Sequence, residues 1–239
     1  MSEIPGWARS VLKAVVPENT RRGIRARQAR AEETRSFRRQ LRESDVFIVG
    51  HPKSGNTLMT YMLAVLLESR LGKRANLANL QEFVPALHAA DDKINIYAGR
   101  PDPRMFRNEG PQFPELYPRT LYIVRDPRAV LVSYYHHSIH DTDDVNWKLD
   151  DFVQEMLEHG CIKRLEPYIV RWDRQVSAWL KRAKHQRVKF VKYEDLRKDR
   201  GKVLKDVLQF LEFECPEQRI EEAVERSSFE NSIQICNRY

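Results

Sequence analysis

The chain has 239 residues, of which 41% are hydrophobic and 31% charged, so we expect one medium-sized domain with a single buried core and room for an appendage. Its net charge of +7 favours an anionic partner, such as a nucleotide, a nucleic acid, a membrane surface or an acidic substrate. Three separate cysteines argue against a disulfide framework, and the sequence contains neither a transmembrane run nor a signal peptide, so we expect a cytoplasmic protein.

Residues 1–43 differ from the rest of the chain because they are dense in arginine and poor in apolar residues, above all between Arg21 and Arg42. This composition predicts a long solvated helix or a segment that is disordered without a partner. A basic arm of this kind can contact nucleic acid or anionic lipid. Alternatively, it is a charged helix that packs on the domain or forms an oligomer contact. We therefore separate a basic N-terminal extension, residues 1–43, from the main domain, residues 44–239.

The main domain opens with the pattern of a buried strand, a tight loop and a helix. An apolar run over residues 46–49 leads into a Pro/Ser/Gly loop, and helical spacing begins near Thr57. Gly50 and Gly55 can adopt backbone conformations barred to other residues, so the loop can turn several N–H groups toward one point. The positive end of the helix faces the same point, and Lys53 adds charge. This stretch predicts a phosphate cradle, unless it is an ordinary strand–turn–helix corner with a surface lysine.

The spacing of Gly50 and Gly55 matches the first six positions of a Walker A loop, but Asn56 and Thr57 follow where that motif has Lys-Ser/Thr. The lysine lies inside the loop instead, at Lys53. In an NTPase the missing lysine would reach the β- and γ-phosphates. Its absence therefore argues against hydrolysis of ATP or GTP.

The chain between the first helix and the second predicted strand is less regular. Short helical patterns run to residue 92, residues 94–98 have the pattern of a short strand, and residues 99–119 read as a Pro-rich loop. A structureless loop of this length inside a compact domain is often functional. His88 is more typical of a structural histidine than of a catalytic one.

A second buried strand, residues 120–124, ends in Arg125 and is followed by a helical pattern from residue 129. Arg125 therefore stands where ligands collect in open α/β sheets, and Ser133 lies on the following helix. The histidines of that helix lack the spacing of a recognised metal site, and we expect no metal; they are His136, His137 and His140.

The remaining chain continues the alternation of strands and helices. Helices are predicted over residues 151–158, 169–183, 201–212 and 219–226, with a third strand over residues 187–192. Alternating elements of this kind predict an α/β fold in which helices flank a central, mainly parallel sheet on both faces.

Four segments, in matching order and spacing, resemble those of the cytosolic-type sulfotransferases, which use 3′-phosphoadenosine-5′-phosphosulfate (PAPS) as donor. Residues 51–57 (His-Pro-Lys-Ser-Gly-Asn-Thr) resemble the 5′-phosphosulfate loop of that family, and residues 125–133 resemble its 3′-phosphate motif, with Arg and Ser eight positions apart. Residues 193–196 (Tyr-Glu-Asp-Leu) resemble the tyrosine motif on the adenine side. Residues 227–230 (Ser-Ser-Phe-Glu) resemble a Thr-Ser-Phe-Glu segment near the nucleotide.

The resemblance implies a P-loop-like three-layer α/β fold and transfer of a sulfuryl group from PAPS to a hydroxyl or amine acceptor, without a metal. It implies that Lys53 neutralises the leaving phosphate oxygen and that Arg125, with Ser133, grips the 3′-phosphate in the bidentate way that suits a guanidinium. PAP, the desulfated nucleotide, would be the product. The other residues that the resemblance assigns to the donor are Ser54, Gly55, Asn56, Thr57, Leu58, Tyr193 and Phe229.

The chain departs from the family at the residue that removes the acceptor's proton. Members usually carry Lys-Thr/Ser-His-x-Pro with a histidine base, whereas residues 107–111 read Arg-Asn-Glu-Gly-Pro and place Glu109 at that position. A partly desolvated glutamate can act as a general base, and related amine- and sugar-modifying sulfotransferases use one. Alternatively, Glu109 is an exposed loop carboxylate and the base is His88, His136 or His140.

Two further departures concern donor affinity. Leu58 stands where the family often has a tryptophan beside the adenine, so we expect weaker stacking there. No counterpart of the family's Arg-Lys-Gly loop, which completes the 3′-phosphate pocket, occurs before Tyr239. Either the sequence is truncated or another basic group substitutes, with the N-terminal arm as a candidate.

Two rival functions are also compatible with the sequence. A nucleotide kinase or NTPase would use Asp126 as its metal carboxylate but would need a lysine at position 56. A non-catalytic protein that binds anions or nucleic acid on a degenerate sulfotransferase fold would explain the altered base. Our leading prediction is a sulfotransferase with a small-molecule or glycan acceptor and no specific nucleic-acid partner, either as a monomer or as a homodimer.

Overall fold

The computed structural model describes residues 18–87, 99–110, 113–141, 148–163 and 169–228. The chain divides into two units, one ending at Leu41 and the other beginning at Arg42. The first unit contains helix α1 (Glu18–Gln40), whose side chains from residue 26 onward are mainly exposed. Among the described residues, no helix is both long and apolar enough to cross a bilayer.

The second unit alternates strands and helices, as the sequence predicted. Its strands are β1 (Val46–Gly50), β2 (Met105–Asn108), β3 (Arg119–Val124) and β4 (Arg187–Lys192). Its helices are α2 (Asn56–Leu71), α3 (Leu80–Phe83), α4 (Pro127–Asp141), α5 (Leu149–His159), α6 (Trp172–Arg182), α7 (Tyr193–Lys198), α8 (Arg200–Leu211) and α9 (Glu217–Arg226). Short 3₁₀ turns lie at Leu77–Asn79 and Pro114–Leu116.

The four strands form one parallel sheet in the order β2-β1-β3-β4. From β1 the chain crosses to β2 on one side, and it then crosses back to β3 and β4 on the other side. The strand order therefore reverses between β1 and β3, and in open parallel sheets ligands bind in the crevice outside the carboxyl ends of such strands. The loop after β1 and Arg125 after β3 lie at this position.

Strand β2 corrects the sequence-based prediction for residues 99–119, which was a loop without regular structure. Met105–Asn108 pairs with β1 in parallel register, Val46 opposite Met105 and Val49 opposite Asn108. The strand escaped prediction because four residues carry too short a pattern, and their hydrogen bonds come from distant segments, namely strand β1 and the Pro85 carbonyl. As a result, Glu109 follows the end of a strand. The strand predicted at residues 94–98 lies outside the described residues.

The core lies on both faces of β1. Residues 46–49 are fully buried, and α2 is buried over most of its length, from Met59 to Leu67. A strand buried on both faces is typical of a parallel sheet covered by helices. On one side of the sheet the aromatic rings form a layer. In it Tyr117 stacks on Phe47 with 3.8 Å between the ring centroids, and the ring centroids of Trp179 and Tyr122 lie 5.6 Å apart.

A buried ion pair joins the starts of β1 and β2. The Arg104 guanidinium donates from Nε to Asp45 Oδ1 (2.7 Å) and from Nη2 to Asp45 Oδ2 (2.6 Å). Both side chains are at most 4% exposed. The Arg42 backbone N–H also donates to Asp45 Oδ2, at 2.8 Å. The two charges therefore satisfy each other where neither has access to water.

His51, the first residue after β1, is completely buried. Its ring Nδ1 donates to the Pro52 carbonyl at 3.2 Å, while Nε2 has no hydrogen-bond partner among the described residues. Burial disfavours the charged imidazolium and lowers the pKa of His51 from 6.5 to about 4, despite the opposing effect of the Pro52 hydrogen bond. The folded protein therefore keeps this imidazole neutral.

We expect Arg104→Met to lower the free energy of unfolding by about 3–5 kcal/mol, because it leaves the Asp45 carboxylate buried without its counter-charge. Urea denaturation measures the change. The control is Lys73→Met, which breaks the exposed pair with Glu82 and should change the midpoint little. Equal losses in the two variants would contradict the importance that we assign to the buried pair.

We also expect His51 to make stability depend on pH between about 6.5 and 4. In this window the unfolded chain binds a proton at the imidazole and the folded chain does not, so acidification favours unfolding. The pKa difference corresponds to about 3 kcal/mol, fully present as stability above pH 6.5. Urea midpoints across this range should fall more steeply for the wild type than for His51→Phe. If the urea midpoints of the two proteins fall equally with pH, His51 is not the source of the pH dependence.

Candidate active site

The loop between β1 and α2 is tightly curled. Lys53 (φ 64°) and Gly55 (φ 104°) both have left-handed backbone conformations, which for a lysine is uncommon. Helix α2 begins directly afterwards at Asn56, and no side chain caps its N-terminus. The first N–H groups of a helix have no partner inside the helix, so this end can bind an anion.

The aromatic ring of Tyr193 packs directly against this loop. A Cβ atom at Gly55 would lie 2.5 Å from Tyr193 Cδ2, so no larger residue fits at position 55. Tyr193 is the first residue of α7 and follows the end of β4. The close approach of loop and ring therefore places the tyrosine, three strands away in sequence, at the edge of the loop.

Arg125 connects the loop to the same ring. Its Nη1 donates to the Lys53 carbonyl at 2.8 Å, and its guanidinium carbon lies 4.3 Å from the centroid of the Tyr193 ring. A guanidinium over an aromatic face is held by a cation–π attraction. The ends of β1, β3 and β4 are thus joined by one arginine side chain.

The carboxyl edge of the sheet contains a cavity of about 420 Å³. Nine of the residues that the sequence predicted for the site line this cavity. Pro52 and His137, which were not predicted, line it as well. Its lining residues are Pro52, Lys53, Gly55, Asn56, Thr57, Leu58, Glu109, Arg125, Ser133, His137 and Tyr193.

Two predicted donor contacts are not among these lining residues. Ser54 is completely buried, and its Oγ has no hydrogen-bond partner among the described residues. A buried hydroxyl without a partner is unfavourable unless a ligand supplies one. Phe229 lies outside the described residues.

Glu109 lies at the cavity and is partly buried. Its Oε1 accepts a hydrogen bond from Asn56 Nδ2 at 3.2 Å, and its backbone carbonyl accepts one from Gln175 Nε2 at 3.1 Å. Glu109 is therefore not the freely exposed loop carboxylate that the sequence left open. Gln175, which is 4% exposed, was missed by the sequence analysis because it lies 66 residues away on α6.

None of the three histidines that the sequence offered as alternative bases is among the described residues that line the cavity. His136 is exposed and does not line it, while His88 and the side chain of His140 lie outside the described residues. His137 does line it. Helical spacing could have indicated His137 from the sequence, because His137 stands one turn after Ser133 on α4.

The carboxylate that a kinase or NTPase would need for a metal, Asp126, is bound to Arg128. The guanidinium donates to both carboxylate oxygens, and this hydrogen bonding, led by the side chain of Arg128, lowers the pKa of Asp126 to about 2. Asp126 does not line the cavity. In the part of the chain that the structure describes, no three metal-ligating side chains form a group that could hold a metal ion.

The sequence profile of the sulfotransferase domain matches residues 43–234. The amine sulfotransferase of the rabbit, Oryctolagus cuniculus, is 27% identical over 202 residues, which make up 80% of this chain and 64% of the rabbit protein. The match thus spans less than two thirds of that relative.

Solved structures of other proteins share the fold. Retinol dehydratase in complex with retinol and PAP superposes with a TM-score of 0.56 and 23% identity, over 80% of this chain and 66% of that one. The mouse sulfotransferase SULT7A1 complexed with PAP gives a TM-score of 0.53 and 22% identity, with the same coverage. The predicted P-loop-like α/β fold is confirmed. Because the domain profile matches most of its length, the chain belongs to the sulfotransferase family.

Proposed function

We propose that this protein transfers a sulfuryl group from PAPS to a hydroxyl or amine of a small-molecule or glycan acceptor. The observation that carries the proposal is a single cavity lined by Lys53, Arg125 and Glu109. These side chains supply one cation for the leaving phosphate, a second for the 3′-phosphate, and a carboxylate for the acceptor's proton. Residues 44–239 would form the catalytic domain, with residues 1–43 as a basic extension, and we place the reaction in the cytoplasm by resemblance to the cytosolic-type enzymes.

The loop after β1 fits the 5′-phosphosulfate of the donor. The N-terminus of α2 has no side-chain cap, and the buried hydroxyl of Ser54 lacks a partner that a phosphate oxygen would supply. Thr57 and the backbone of Gly55 would add further donors. Lys53 lines the cavity from within the loop, where its ammonium can neutralise the charge that develops on the leaving oxygen.

Other side chains that line the cavity fit the remaining parts of the donor. Arg125, held in place by Lys53 and Tyr193, would pair with the 3′-phosphate together with Ser133. Tyr193 and Leu58 line the cavity where an adenine would pack, and we assign Phe229 to the same moiety on the family resemblance alone. The two related structures with PAP support this choice of nucleotide.

The transfer step needs one base and no covalent enzyme intermediate. Glu109 would accept the proton from the acceptor's oxygen or nitrogen as that atom bonds to sulfur. The bond between sulfur and the bridging phosphate oxygen breaks, and Lys53 would stabilise the negative charge that this oxygen acquires. By analogy with phosphoryl transfer, positioning and charge stabilisation would supply most of the catalysis.

PAP should stabilise the wild-type protein against heat, because a ligand at about a hundred times its dissociation constant adds about 2.7 kcal/mol. Lys53→Ala and Arg125→Ala should abolish most of the shift, since each removes a cation from the cavity. Arg128→Ala is the matched control, because Arg128 is 90% exposed, pairs with Asp126 and does not line the cavity. Thermal melts with PAP, and with ATP and magnesium, measure the effect.

Two outcomes of these melts would support a rival function instead. A shift with ATP and magnesium, but none with PAP, would favour a nucleotide kinase or NTPase. No shift with either nucleotide, together with salt-dependent binding of RNA or DNA, would favour a non-catalytic anion-binding protein.

Glu109→Gln should lower the rate of sulfuryl transfer by about 10²- to 10⁴-fold, the usual contribution of a general base, while leaving PAP binding intact. Transfer from ³⁵S-labelled PAPS to 2-naphthol and to 2-naphthylamine measures it, and His136→Gln is the control because His136 is exposed outside the cavity lining. A full rate in Glu109→Gln, combined with a large loss in His137→Gln, would assign the base to His137.

A further inference from the structure

A chain of hydrogen bonds links Glu109 to the core of the domain and to the loop after β1. Tyr122 Oη donates to Gln175 Oε1 at 3.2 Å, and Gln175 Nε2 donates to the Glu109 carbonyl at 3.1 Å. On the other side, Asn56 Nδ2 donates to Glu109 Oε1 at 3.2 Å. We propose that Asn56, Gln175 and Tyr122 are positioning residues for Glu109. This inference rests on the proposed function, in which Glu109 is the base.

The Asn56 side of the chain ties the carboxylate to the loop. Asn56 Nδ2 lies within 3.3 Å of the carbonyls of Gly50 and His51 as well as near Glu109, so the amide is held against the end of β1. Gly50 makes room for it, because a Cβ atom there would lie 2.4 Å from Asn56 Oδ1. The loop that would hold the leaving phosphate and the carboxylate that would take the proton therefore share one side chain.

The Gln175 side of the chain has only one favourable orientation of the amide. With Oε1 toward the Tyr122 hydroxyl, Nε2 faces the Glu109 carbonyl and both ends form hydrogen bonds. The flipped amide would place two carbonyl oxygens together and lose the bond to Glu109. Because Gln175 is 4% exposed, water cannot readily replace the lost partner.

Tyr122 anchors the chain in the aromatic layer. Its side chain is completely buried, and its ring centroid lies 5.6 Å from that of Trp179 and 5.3 Å from that of Phe190. Burial raises the pKa of Tyr122 well above its ordinary value, so the hydroxyl remains a donor at any working pH. The hydrogen-bond chain to Glu109 thus begins in the buried aromatic layer.

Such restraint matters because the cavity also contains two cations. Lys53 and Arg125 line it together with Glu109, and an unrestrained carboxylate would be drawn toward them. A carboxylate paired with a cation is a weaker proton acceptor. Hydrogen bonds on both the side chain and the backbone of Glu109 would oppose this displacement.

The decisive experiment removes one oxygen atom, which two hydrogen bonds separate from Glu109. With 2-naphthol as acceptor, Tyr122→Phe should lower kcat for PAP release from PAPS by about tenfold. The reason is that a catalytic group misplaced by about 1 Å can lower the rate by up to 10²-fold. The KM for 2-naphthol and the thermal shift with PAP should remain unchanged. In a Glu109→Gln background the same substitution should have no further effect. Tyr61→Phe, which removes the hydroxyl of another buried tyrosine, is the control and should keep the full rate.

An equal loss from Tyr122→Phe in both backgrounds, or a parallel loss of the PAP shift, would overturn the proposal, because either result indicates a general structural defect. A second measurement needs no acceptor. The urea midpoint of the Asn56→Ala, Glu109→Ala double variant should fall by less than the sum of the two single shifts. Additive shifts would overturn the Asn56 contact. A wild type that binds PAP but releases none from PAPS would contradict the proposed function, and the urea measurement would still test the positioning contact.

Discussion

The parallel pairing of β1 with both β2 and β3 is the constraint on which the site depends. It places three carboxyl ends at one edge of the sheet, each followed by a residue of the cavity: the loop containing Lys53, then Glu109, then Arg125. The buried pair between Asp45 and Arg104 holds β1 and β2 at the opposite end. Because strands in a sheet share a fixed register, an interaction at one end helps to fix the positions of side chains at the other.

The loop after β1 concentrates buried polar atoms that lack partners among the described residues, namely His51 Nε2, Ser54 Oγ and Asn56 Oδ1. Each such atom costs about 1–3 kcal/mol relative to a satisfied one. Together with the left-handed backbone of Lys53, they describe a loop that is less stable than an ordinary turn would be. We interpret this cost as the consequence of a surface shaped for an anionic ligand.

Contacts among the loop, Arg125 and Tyr193 explain how so strained a segment keeps one conformation. The arginine binds the Lys53 carbonyl and covers the tyrosine ring, and the ring fills the space that any side chain at Gly55 would need. The residues proposed to bind the donor therefore stabilise one another. An arginine that is already fixed loses less conformational freedom when it pairs with a phosphate.

The sequence by itself determined the α/β alternation, the loop from Gly50 to Asn56, and the placement of Arg125 at a strand end, because these features depend on local patterns of hydrophobicity and turn residues. It also brought Glu109 forward as a candidate, through its position in the motif. Only the tertiary structure revealed β2, the cavity position of His137 and the support of Glu109 by Gln175. A four-residue edge strand and a hydrogen bond between residues 66 positions apart leave no local pattern, since both arise only when distant segments pack together.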